Sequence, residues 1–106
     1  MSSNEIHQDD IGTVFRATFK DGTTVVDISG ATSIYFLFKK PDGTITQKTG
    51  VLYTDGTDGK AQYTSVSGDL SQSGAWRVQG YVVLVAGSWY SDIYEFDVNK
   101  NVGVIV

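Results

Sequence analysis

The stretch ATSIYFLFKKPDGTIT, Ala31 to Thr46, leaves this chain few ways to fold. Ile34, Phe36 and Phe38 recur at every second residue, the period of a strand packed on a core. Pro41-Asp42-Gly43 then reads as a type I turn. Proline presets φ, the aspartate bonds back to the backbone, and glycine relieves the position that follows. The turn returns the chain into a second strand beginning at Thr44. A long buried strand, a tight turn and a returning strand describe a β domain.

The rest of the chain carries the same punctuation. Val14 to Phe19 reads as a first strand, and Asp21-Gly22 as a type I′ hairpin signal. Thr24 to Ile28 reads as a second strand, closed by Ser29-Gly30. The strand from Thr32 to Lys40 is followed by a partner from Thr44 to about Tyr53, whose weak alternation places it at a sheet edge. A turn-rich link, Thr54 to Gly59, leads to a strand from Lys60 to Ser65. Ser67 to Gly74 has room for one helical turn, with Leu70 as a core plug. Trp76 to Val85 and Trp89 to Val98 are the last two strands. About seven strands at this spacing predict an all-β fold, a sandwich or a barrel. The expected organisation is a flexible arm over residues 1–10, a β-sandwich over 11–98 and an apolar tail over 99–106. The expected core is Phe15, Ile34, Phe36, Phe38, Trp76, Val78, Phe96 and Val98. Ile93 shares a face with Phe96 only if a bulge lies between them.

Composition narrows the classes of function. At 106 residues the chain has room for one core. A formal charge of −4 disfavours nucleic acid and anionic membrane surfaces, both of which select basic proteins. There is no cysteine, so neither disulfides nor thiol chemistry arises. No apolar run approaches the ~20 residues of a membrane span, and MSSNEIHQDD lacks the apolar region of a signal peptide, so synthesis without Sec export is expected.

Two strands are apolar on the face that a two-layer fold leaves wet. Opposite the phenylalanines lie Tyr35 and Leu37, and opposite Trp76, Val78, Val82 and Leu84 lie Tyr81, Val83 and Val85. Placed side by side in one sheet, they form an apolar zone of the kind that marks a partner surface. The competing reading covers this face with the arm or the tail of the same chain. The tail, with Val102, Val104, Ile105 and Val106, either extends the last strand or adds to the sheet edge of a neighbouring subunit.

Residues for chemistry are sparse. The single histidine, His7, falls in the polar arm, where nothing fixes it beside a nucleophile. With no second histidine and no cysteine, zinc ligation is unsupported. Asp55-Gly56-Thr57-Asp58-Gly59 has the carboxylate spacing of a turn and lacks the distal ligand of a calcium loop. Asp92 and Glu95 are a carboxylate pair without a cleft to face across. No catalytic residue, metal or cofactor is therefore expected. Trp89, Tyr90 and Tyr94 are the residues suited to stacking on sugar rings, with core and rim packing as their alternative use.

A set of motifs adds a family likeness. KKPDGT (Lys39 to Thr44), GKAQYT (Gly59 to Thr64), Gly68-Asp69-Leu70, GAWRVQGYV (Gly74 to Val82) and EFDV (Glu95 to Val98) stand in the order and spacing of one family. With VDISGAT (Val26 to Thr32) leading into the long strand, the chain resembles the immunoglobulin-like N-terminal domain of phage baseplate upper proteins over residues 11 to 98. The resemblance implies an immunoglobulin-like antiparallel β-sandwich and a non-enzymatic structural component of a tailed-phage or prophage virion. Baseplate, tail, fibre or capsid decoration are its possible places, and the host bacterial cytoplasm is where it would be made. It implies docking onto other virion proteins or onto further copies of itself. It carries no catalytic residues, and it gives Trp76 and Tyr81 a role in core or inter-sheet packing. A carbohydrate-binding or adsorption module using the exposed aromatics is the alternative function, with a host surface glycan as partner.

Overall fold

The computed structural model describes residues 6–101, and these residues are all-β, without a helix. Eleven strands are formed among them: β1 (Ile6–His7), β2 (Val14–Thr18), β3 (Lys20–Asp21), β4 (Thr24–Val25), β5 (Ser33–Lys39), β6 (Ile45–Thr49), β7 (Val51–Leu52), β8 (Lys60–Thr64), β9 (Gly74–Leu84), β10 (Gly87–Tyr90) and β11 (Tyr94–Asn99). The main sheet runs β1-β11-β9-β5-β6, with β10 also on β9. A second sheet runs β2-β8-β7, and β3 with β4 makes a small hairpin. All pairings are antiparallel except β1 with β11.

The organising hairpin forms as the sequence predicts. β5 alternates buried Ile34, Phe36 and Phe38 with half-buried Tyr35 and Leu37. At its end Gly43 N–H donates to the Lys40 carbonyl (2.9 Å) and Thr44 N–H donates to Asp42 Oδ1 (2.8 Å), while Gly43 takes φ 91°. The returning β6 lies at the sheet edge.

The returning strand does not run unbroken to Tyr53. It leaves the main sheet after Thr49 and joins the second sheet as β7. The switch falls on Gly50, where a Cβ would stand 2.6 Å from Phe36 Cε1. The last expected strand is likewise two strands on one edge of β9. Tyr90 pairs with Tyr81, but Tyr94 pairs with Val78, so one extra residue lies between them. This bulge reverses the alternation and turns Phe96 inward. Ile93 falls within it and is 57% exposed, so it does not join Phe96. Ser91 mends the ladder there. Gly80 N–H donates to Ser91 Oγ (2.7 Å), and Ser91 N–H donates to the Gly80 carbonyl (2.9 Å).

Other expectations need correcting. Gly22 alone takes positive φ (66°) in the β3–β4 hairpin, whereas type I′ needs it at both central residues and Thr23 is β-branched. The strand expected from Thr24 to Ile28 stops at Val25. Residues 67–70 form a turn and 71–73 are irregular, so no helical turn is formed, although Leu70 is buried as expected. The arm is not loose where it is described. Ile6 is buried and pairs with Val98, His7 pairs with Asn99, and Gln8 N–H donates to the Asn99 carbonyl (2.8 Å).

The core lies between the inner faces of the two sheets. All eight expected core residues are buried, and Phe15 of β2 meets Phe38 and Phe96 of the main sheet at centroid distances of 5.1 and 4.9 Å. Phe19, Ile28, Val82, Ala17 and Ala61 join them. Gly80 makes a notch opposite Phe36 that admits the Phe19 ring. A Cβ at Gly80 would stand 2.8 Å from Phe19 Cζ and 2.9 Å from Ala17 Cβ.

Candidate functional site

The outer face of the main sheet is organised in rows by strand register. Tyr90 of β10, Tyr81 of β9, Tyr35 of β5 and Thr49 of β6 stand opposite one another across four strands. The rings touch along the row, with centroids 4.5 Å apart for Tyr81–Tyr90 and 6.5 Å for Tyr35–Tyr81. The next row holds Gln79, Leu37 and Gln47, and the row on the other side holds Ser88, Val83 and Ser33. Formal charge begins only at the row of Glu95, Arg77 and Lys39. There Arg77 and Glu95 pair at 3.4 Å, both well exposed.

Of the residues proposed for this face, Tyr35, Leu37, Tyr81 and Val83 are brought together. Each is half-buried by its neighbours. Val85 is not part of the surface, since it sits at the tip of the β9–β10 hairpin and is 96% exposed. Tyr81 belongs to this outer face and not to the core or the space between sheets. It is five residues from the buried Trp76, an odd separation that puts the two on opposite faces. The tail residues Val102, Val104, Ile105 and Val106 lie outside the described residues.

The stacking trio is divided. Trp89 pairs with Val82 and packs against the core, while its neighbour Tyr90 points to the outer face. Tyr94 pairs with Val78 beyond the bulge, on the inner-face register. The three therefore do not form one platform, because strand alternation and the bulge each reverse a side chain.

A polar cluster on the opposite, inner side went unread as a unit in the sequence. Asp69 accepts hydrogen bonds from the Tyr63 hydroxyl and from Val66 N–H (2.9 Å), and it pairs with Lys48 Nζ at 2.9 Å. Its side chain is 9% exposed. Burial pushes the Asp69 carboxyl up, but the bonds from Tyr63, Val66 and Lys48 outweigh that and hold it below the usual carboxylate range. Burial, reinforced by Asp69, pushes the Tyr63 phenol up to about 12. The space beside the cluster, lined by Phe15, Phe38 and Leu70 among others, is no larger than a water molecule. With no room for a substrate, the arrangement ties the 66–73 loop to β6 and β8. A tyrosine on β8 two residues from buried Ala61 was the available signal, since an inward phenol needs a partner.

The remaining candidates have local uses. Asp55 Oδ1 accepts from Thr57 N–H (3.0 Å) and Thr57 Oγ1 (2.7 Å), and Asp58 Oδ1 accepts from Lys60 N–H (3.0 Å). These carboxylates shape the turn, and among the described residues no cluster of His, Asp or Glu is placed to hold a metal ion. His7 lies on β1 against β11, and its N–H donates to Asp10 Oδ2 (2.9 Å). Asp92 lies in the bulge, while Glu95 lies on β11 beside Arg77.

No protein-family model matches the sequence, and no curated protein is similar to it.

Proposed function

We propose that this chain is a non-enzymatic structural protein of a tailed-phage or prophage virion, with an immunoglobulin-like fold, that works by docking the outer face of its main sheet onto another virion protein. The observation that carries this reading is the row of Tyr90, Tyr81 and Tyr35, flanked by Leu37 and Val83, on a face with no formal charge at its centre. Large side chains with few rotatable bonds, massed on one sheet face, present contact area at low entropic cost, which is how protein interfaces are anchored. The order of motifs shared with baseplate upper domains supplies the virion context. A domain of two packed β-layers with a strand that switches sheets at Gly50 is compatible with that fold.

The test replaces Leu37 or Val83 with aspartate. Both side chains lie on the outer face, so each variant is expected to fold, as circular dichroism and thermal melting will show. Each is expected to be missing from particles purified after complementation of a phage or prophage lacking the wild-type copy. Normal incorporation of both variants would exclude this face as the docking surface.

A further inference from the structure

The edge of the main sheet at β6 has the properties of a self-pairing surface. Lys40 N–H donates to the Thr44 carbonyl (2.8 Å) and Gly50 N–H donates to the Ile34 carbonyl (2.9 Å). By the alternation of an antiparallel ladder, Thr46 and Lys48 also turn their backbone groups toward β5. Ile45, Gln47 and Thr49 turn theirs outward, and among the described residues no strand pairs with them.

Natural sheets protect such edges with lysines, prolines, bulges or very short strands. β6 has five residues, no proline and no bulge. Its one charged residue, Lys48, points to the inner side and is paired with Asp69 at 2.9 Å within the same chain. The outward residues Ile45, Gln47 and Thr49 are uncharged and exposed.

We infer that two copies of this chain join at β6, antiparallel about a two-fold axis through Gln47, so that the main sheet continues from one copy into the other. In this register Gln47 faces Gln47, Ile45 faces Thr49, and Lys48 faces Thr46, so no like charges meet. Three outward residues per copy supply about six backbone hydrogen bonds across the axis. The other edges are less suited. Self-pairing at β2, which is centred on Arg16, sets one guanidinium against another. β10 offers only Ser88 and Tyr90 before the bulge, and β1 has two residues. The contact uses the edge of the sheet and is independent of the docking face proposed above.

The test is the molar mass by light scattering at about 0.5 mM, where a small interface still associates. The wild type is expected at twice the 11.5 kDa chain mass. Gln47→Pro removes only an outward N–H, which an edge strand tolerates, and is expected to be a folded monomer. Gln47→Lys and Gln47→Glu each place like charges on the axis and are expected to be monomers alone, while an equimolar mixture recovers the dimer mass. A monomeric wild type at this concentration, a dimeric and folded Gln47→Pro, or a mixture that stays monomeric would each overturn the inference.

Discussion

Asp69 shows how one side chain holds a loop that has no regular structure of its own. It collects a phenol, a backbone N–H and an ammonium, so the 66–73 segment is fastened to both sheets through a single carboxylate. Because its folded pKa lies below the unfolded value, its contribution to stability is complete above ~4 and is lost as pH falls through the folded value. Tyr63 has the opposite sign. Its folded pKa is raised from 10.0 to about 12, so its contribution is complete below 10 and disappears between 10 and about 12. Tyr63→Phe is expected to lower stability at neutral pH by about 1–3 kcal/mol, since a hydrogen bond to a carboxylate is lost. It should also flatten the alkaline limb of the stability curve between pH 10 and 12. Urea titrations across that range measure both effects.

At the scale of elements, two small residues decide where strands go. Gly50 lets one returning strand serve two sheets, because only a bare Cα clears the Phe36 ring. Gly50→Ala forces that ring or the backbone to move and is expected to cost about 1–3 kcal/mol. The expected readout is a lower urea midpoint with an unchanged m-value, since the folded surface is the same. Ser91 does the corresponding work on the other edge of β9, where it fills in for the backbone at the bulge. That bulge is the reason Tyr90 faces outward to meet Tyr81 while Phe96 faces inward to meet Trp76.

For the whole molecule, the parallel pairing of β1 with β11 brings the two described ends together. Gln8 N–H donates to the Asn99 carbonyl, and Asn101 Nδ2 donates to the Gln8 carbonyl (2.6 Å). This pairing lies away from the β9–β10 hairpin tip, since Val98 pairs with Gly74 at the far end of β9. Deleting residues 1–7 removes buried Ile6 along with β1, and is expected to cost about 2 kcal/mol. In a domain of this size that lowers the melting temperature by roughly 8–16 °C, which calorimetry will register. The docking face and the β6 edge remain intact in such a variant.

Alternation and turn chemistry in the sequence determined the all-β class, the 31–46 hairpin, the eight core residues and the sharing of one strand face by Tyr35 with Leu37 and of another by Tyr81 with Val83. Those features follow from local geometry, because side-chain period and turn residues act over a few positions. The pairing of β5 with β9 is what gathers the four. Only the tertiary structure decided the sheet switch at Gly50, the bulge at Ser91 and the docking of Ile6 on Val98. It also decided the meeting of Lys48, Tyr63 and Asp69. Each depends on contacts between residues distant in the chain. A glycine under a ring, or an aspartate beside a distant lysine, has no period to betray it. The separation of Trp89 from Tyr90 was visible in their adjacency on a strand. The separation of Tyr90 from Tyr94 was not, because a single inserted residue reverses every face that follows it.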